Sequence, residues 1–121
     1  MNALHVLVVE DDGLIGMLLA EVLEGMGCSV CGVAASEAEA VAAAIRFRPD
    51  VMIVDALLGT GSGVAAVEKI LRTDYIPHVF VSGDAASVRR RKPHAIVLQK
   101  PYREADLAGA IRRAMRGAVV S

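Results

Sequence analysis

Five short apolar runs, each closed by polar residues and each followed by a stretch of helical periodicity, narrow most sharply what this chain can become. The runs are Leu4–Val9, Val30–Ala34, Val51–Val54, His78–Val81 and Ala95–Leu98. They are rich in β-branched residues and do not alternate strictly with polar ones, which is the pattern of a strand covered on both faces. Between them, Leu14, Ile15, Leu18, Leu19, Val22, Leu23 and Met26 repeat at helical spacing, with Gly25 and Gly27 closing that helix. Ser36 with Glu39 three residues on is a capping box, opening an Ala-rich helix that reaches about Arg46 before Pro49. A third helix is predicted from Val64 to about Arg72, and a short fourth over Ala85–Arg91, stopped by Pro93. Leu107, Ala110, Ile111, Ala114 and Met115 stripe a fifth. The stretch Gly59–Gly63, with three glycines, is expected to be a mobile loop. Strand and helix alternating five times predict the α/β class, a parallel sheet with helices on both faces.

At 121 residues the chain is expected to form one domain over 1–121. A 55% hydrophobic content excludes a disordered tail. The longest apolar run, Ala40–Ile45, falls far short of the roughly 18 residues of a membrane span. The first residues carry no basic region and turn acidic at Glu10, Asp11 and Asp12, so no leader peptide is expected and the chain is placed in the cytoplasm, away from membranes. Residues 1–60 hold 9 acids and 2 bases, and residues 61–121 hold 5 acids and 11 bases. Such a split can mark a nucleic-acid face. With only four aromatic residues, a base-stacking platform is disfavoured and no direct nucleic-acid partner is expected. Arg89-Arg90-Arg91-Lys92 is then a solvated helix face or a docking surface for an acidic partner. Cys28 and Cys31 form a C-x-x-C, but in a strand residues three apart point to opposite faces, so neither a redox pair nor a zinc site is expected. His5, His78 and His94 show no ligand spacing.

Ligands of parallel α/β sheets sit at the C-terminal ends of the strands. Those ends carry Asp11-Asp12 (first strand), Asp55 (third), Ser82 (fourth) and Lys100 (fifth). Carboxylates crowded together resist ionisation unless a cation joins them. A hard divalent ion, Mg²⁺, suits this group, and Lys100 with Ser82 would hold an anion beside it. Magnesium, lysine and a hydroxyl are the equipment of phosphoryl transfer. Gly61-x-Gly63 lacks the spacing and the Gly-Lys-Ser/Thr of a nucleotide loop.

On these residues the chain resembles the receiver domain of two-component response regulators over essentially its whole length. The matching set is Asp11-Asp12, Asp55, Gly63 eight residues later, Ser82, and Lys100-Pro101-Tyr102. The resemblance implies a flavodoxin-like (βα)5 doubly wound sheet of order 2-1-3-4-5. It implies that Asp55, exposed at the sheet edge, accepts a phosphoryl group from a histidine kinase or histidine phosphotransfer protein. Asp12, Asp55 and the backbone carbonyl of Leu57 would hold Mg²⁺, with Asp11 acting through water. Lys100 would pair with the phosphoryl oxygens and the Ser82 hydroxyl would move to meet them. A downstream protein would contact the Ala85–Lys92 helix and the last helix, and the only catalysis would be the domain's own phosphorylation and dephosphorylation. Two departures stand out: Val97 occupies the position of the usual fifth-strand aromatic, and Gly59 that of a frequent proline. Phe80-Val81-Ser82-Gly83 is similar to a subset of stand-alone receivers that work with HWE-type kinases. The alternatives are a pseudo-receiver that binds without being phosphorylated, and a receiver piece of a longer regulator. DNA-binding control is disfavoured, because the sequence stops at Ser121. A haloacid-dehalogenase-like phosphatase would need an acid at Leu57.

Overall fold

The computed structural model describes residues 3–120, with side chains from 3 to 117. In chain order the elements are β1 (His5–Val9), α1 (Gly13–Gly25), β2 (Ser29–Ala34), α2 (Glu37–Phe47), β3 (Val51–Asp55), β4 (Leu57–Leu58), β5 (Gly61–Ser62), α3 (Gly63–Leu71), β6 (His78–Ser82), α4 (Ala85–Arg91), β7 (Val97–Gln99) and α5 (Glu104–Val120). The main sheet is parallel with order β2-β1-β3-β6-β7, which is 2-1-3-4-5 when its five strands are counted alone. The sheet therefore turns in opposite directions from β1 and β3, and the crevice beyond their C-terminal ends is the topological switch point.

Period-2 alternation divides the core in two. Leu7, Val9, Met52, Val54 and Phe80 face one layer with residues of α2, α3 and α4. Val6, Val8, Val51, Ile53, Val79 and Val81 face the other with residues of α1 and α5. Most of these side chains are fully buried, each contributing on the order of 1.5–3 kcal/mol by leaving water. Cys28 packs against the second layer and Cys31 against the first, so the two free thiols lie on opposite faces as the strand geometry required.

Side-chain caps start the helices. Asp12 caps α1, Ser36 caps α2, Ser62 caps α3 and Asp84 caps α4, each accepting backbone N–H groups of the first turn, a contribution of about 1 kcal/mol apiece. Two elements differ from the expectation. The Gly59–Gly63 stretch contributes to a small antiparallel ribbon, Leu57 opposite Ser62 and Leu58 opposite Gly61, tied to α2 because the Ser62 N–H donates to Glu37 Oε2 at 2.8 Å. The last strand sits later than the apolar run, over Val97–Gln99, because Ala95 is drawn into a turn with Lys92. Only part of α1's apolar surface meets the sheet: Leu23 is buried, whereas Leu14, Met17 and Leu18 are each more than half exposed.

Candidate functional site

The site is built where β1 and β3 end. Asp55 is the last residue of β3, and both its carboxylate oxygens are engaged. Oδ2 accepts from Lys100 Nζ at 2.6 Å, and Oδ1 accepts from the Leu57 N–H at 2.9 Å. Its side chain is only 11% exposed, so it lies recessed rather than open at the sheet edge as expected. It forms part of the wall of a cleft of about 490 Å³, together with Glu10, Ile15, Leu19, Lys100 and Tyr102. Burial lowers the affinity of the Lys100 ammonium for its proton. The bond and charge of Asp55, with Glu10 behind it, outweigh that and hold Lys100 above the usual lysine range.

Among the three consecutive acids, the structure brings forward one that sequence reasoning passed over. Glu10 follows β1 and is 5% exposed. Its N–H extends the ladder to Ala34 O at 2.9 Å, and its Oε2 accepts the Asp12 N–H at 3.0 Å. Burial pushes its carboxyl up to about 7; the Asp12 N–H works against this, and the neighbouring Asp55 and Asp11 carboxyls add to it. Asp11 is exposed beside Gly59, where a Cβ would lie 3.3 Å from Asp11 Oδ2 and where φ is +53°.

Asp12, expected as a direct metal ligand, uses its Oδ1 to accept the N–H groups of Leu14 (3.0 Å) and Ile15 (3.1 Å) as the N-cap of α1. The signal for this was an aspartate directly before a helical stripe, a preferred cap. The acid that lies against Asp55 is Glu10, with Asp11 beside Glu10. Among the described residues, no three carboxylate, imidazole or thiolate side chains form a metal cage by themselves. A site here would combine carboxylates with a carbonyl and waters, which is how magnesium is commonly held.

Ser82 ends β6, one residue beyond Val81, the register partner of Asp55. It is 6% exposed, and its Oγ accepts the Asp84 N–H at 2.9 Å. Leu57 is 74% exposed, on the short connection directly after Asp55. Val97 is buried at 5% exposure on the α4 side of the sheet, and its carbonyl accepts from Arg89 Nη2 at 3.0 Å.

Comparison with known proteins matches residues 6–112 to the response regulator receiver domain. The chain is 33% identical over 117 residues to the phyllosphere-induced regulator PhyR of Methylorubrum extorquens, covering 93% of this chain and 44% of that protein. It is also 33% identical over 115 residues to the transcriptional regulatory protein PdtaR of Mycobacterium tuberculosis, covering 92% and 56%. The chain therefore spans about half the length of these relatives. Among solved structures, the receiver domain of PhyR from Erythrobacter litoralis superposes with a TM-score of 0.86 at 28% identity, over 96% of this chain and 92% of that one. The anti-anti-sigma factor PhyR of Bartonella quintana gives 0.87 at 26% identity, over 98% and 49%. The chain belongs to the response regulator receiver family of two-component signalling. Phosphorylation and Mg²⁺ binding are typical of that family.

Proposed function

We propose that this protein is a phosphorylation-driven switch or relay, with Asp55 as the acceptor of a phosphoryl group carried on a partner's phosphohistidine. The observation that carries this reading is the double tether of Asp55: Lys100 on one oxygen and the Leu57 N–H on the other, in a recessed cleft beside Glu10. In the reaction an Asp55 oxygen attacks phosphorus, the O–P bond forms as the N–P bond breaks, and the bonding pair returns to the imidazole nitrogen. Lys100 is placed to neutralise the phosphoryl oxygens, and the Leu57 N–H fixes the plane of the nucleophile. Positioning and charge neutralisation of this kind supply most of the catalysis of phosphoryl transfer.

The residues fit Mg²⁺. Asp11, Asp55 and the Leu57 carbonyl would be its ligands, with Glu10 reaching it through water; burial raises the Glu10 carboxyl first, and the Asp55 and Asp11 carboxyls add a crowding that a cation relieves. The ion would supply charge neutralisation for the incoming phosphoryl group. The partner is a histidine kinase or a histidine phosphotransfer protein, and the exposed Leu14, Met17 and Leu18 of α1, beside the cleft, offer it an apolar surface. Output is by protein contact through α4 and α5. An anti-anti-sigma description of the Bartonella relative is consistent with output of that type. The working site is cytoplasmic; no helix among the described residues is long and apolar enough to cross a membrane.

The test is intact-mass analysis after incubation with acetyl phosphate and Mg²⁺. One added phosphoryl group in the wild type and none in Asp55→Asn is expected. Labelling of Asp55→Asn at wild-type stoichiometry would refute the assignment.

A further inference from the structure

Gln99 ends β7 and is exposed to solvent, yet both polar atoms of its carboxamide are bonded within the protein. Oε1 accepts the Ala85 N–H at 3.0 Å. Nε2 donates to the Gly83 carbonyl at 2.7 Å and to the Lys100 carbonyl at 2.9 Å. The orientation of the amide is dictated by these partners. Turned over, its NH₂ would face an N–H and its oxygen would face two carbonyls. One side chain thus ties the β6–α4 turn to the peptide that carries Lys100.

The turn has one backbone tie to the same peptide, the Lys100 N–H donating to the Ser82 carbonyl at 2.8 Å, and Gln99 extends that tie to Gly83 and Ala85. Ala85 is the first residue of α4, so its N–H has no partner within the helix. Asp84 serves the Ser87 N–H instead, at 3.1 Å, which leaves Gln99 as the cap of Ala85 from a neighbouring strand. At Gly83 nothing lies within 4 Å of where a Cβ would be, so this residue is held through its backbone alone. Ser82, immediately before it, lends its Oγ to the Asp84 N–H at 2.9 Å. For the Ser82 hydroxyl to meet a phosphoryl group on Asp55, it must give up the Asp84 N–H it now accepts, and Gln99 holds the turn on either side of that bond, at Gly83 and at Ala85.

We propose that Gln99 is a positioning residue whose carboxamide latches the β6–α4 turn to the Lys100 peptide and so sets how readily Ser82 reaches a phosphorylated Asp55. The latch stands on the geometry alone; its effect on the response rests on the phosphoacceptor reading above. Hydrogen exchange by NMR tests the first part in the unphosphorylated protein. Gln99→Ala, and Gln99→Met of nearly equal length, are expected to raise Ala85 amide exchange roughly tenfold while the β1 and β3 amides keep their protection. Gln99→Glu separates the two ends of the latch. It retains an acceptor for Ala85, so that amide stays protected at neutral pH. Its carboxylate opposes the Gly83 and Lys100 carbonyls, so the turn's chemical shifts depart from wild type and return as acidification protonates the side chain. Unchanged Ala85 exchange in both Gln99→Ala and Gln99→Met overturns the latch.

Titration with beryllofluoride and Mg²⁺ tests the second part. Half-saturation of the β6–α4 shift changes is expected at several-fold lower beryllofluoride in Gln99→Ala than in wild type. Equal half-saturation overturns the coupling. Failure of the wild type to bind beryllofluoride at all would overturn the phosphoacceptor reading, with the exchange experiment still deciding the latch.

Discussion

Replacing Gly63 with alanine should damage stability and phosphorylation together, because the missing side chain makes room for the phosphoacceptor's own backbone. Gly63 is the buried first residue of α3, and its N–H donates to Ala56 O at 2.9 Å. A Cβ there would lie 1.9 Å from the Asp55 carbonyl oxygen, 2.7 Å from Val54 Cγ1 and 2.9 Å from the Asp55 carbonyl carbon. Val54 can yield by rotating, but the carbonyl cannot. Either the end of β3 or the start of α3 must shift by about 1.5 Å before ordinary contact is restored. Overpacking of this kind costs about 1–3 kcal/mol, and alanine's better helix propensity returns at most about 1. A net loss of roughly 2 kcal/mol would lower a urea midpoint by about 1 M. The same displacement moves Asp55 away from Lys100 and the Leu57 N–H, and a misplacement of about 1 Å can cost on the order of 10²-fold in rate. Urea melts and acetyl phosphate labelling rates measure the two effects. Gly25→Ala, at a helical position with nothing within 4 Å, is the control, expected to be neutral or stabilising by up to about 1 kcal/mol. If Gly63→Ala behaves like Gly25→Ala in both assays, the close approach of α3 to Asp55 does not constrain the site.

The remaining predictions concern charge and the switch. In Asp55→Asn the Glu10 carboxyl is expected to titrate lower than its native value of about 7 yet above its ordinary 4.5, since burial persists after Asp55's contribution is gone; a carboxyl ¹³C NMR titration with no change would show that the two groups do not interact. Because the folded state holds a Glu10 proton that the unfolded chain releases, this group's stabilisation is full below about pH 4.5 and is lost as pH rises through about 7, by on the order of 3 kcal/mol at most. Chemical denaturation in EDTA between pH 5 and 8 should reveal that decline, and Mg²⁺, which favours the ionised carboxyl, should reduce it. At saturating Mg²⁺, about 100 times its Kd, a native-state ligand adds about 2.7 kcal/mol; an unchanged melting temperature at low ionic strength would count against the site. Ser82→Ala should abolish most of the beryllofluoride-induced shift at β6 and α4, whereas Val97→Ala should keep it and show only the cost of a small cavity; a response confined to β7 would refute this route.

The fold was legible wherever a physical signal was continuous over several residues. The five buried runs, the capping box at Ser36 and the stripe on α5 each involve many positions acting alike, and the structure places a strand or helix on each. The ribbon of Leu57–Leu58 with Gly61–Ser62 has two-residue arms and no periodicity, and it is held from outside by Glu37, 25 residues away from Ser62 in sequence. A local reading of three glycines could only suggest freedom. The exposure of α1 was hidden for a related reason: apolar residues at helical spacing show that a helix forms, not which of them the sheet covers, and α1 carries more apolar surface than the sheet can bury.

The site shows the same boundary at finer scale. Asp55 and Lys100 could be placed from strand ends alone, and the structure joins them at 2.6 Å. The acids after β1 could not be sorted, because three in a row are chemically equivalent until the chain's geometry divides them. Two nearby events do the dividing. The Glu10 N–H still bonds to Ala34, so that residue continues the sheet's direction and its side chain is carried inward. Two residues later α1 needs a cap, and Asp12 is turned to accept its first N–H groups. The helix therefore engages one oxygen of Asp12 as its cap while the strand drives the Glu10 carboxyl inward, and the Asp12 N–H rests on Glu10 Oε2. Substituting Asp12 by serine, which caps about as well, is accordingly expected to leave Mg²⁺ affinity nearly unchanged. Glu10→Gln should weaken it measurably by isothermal titration. The reverse ordering of the two variants would return Asp12 to the metal and undo this division of labour.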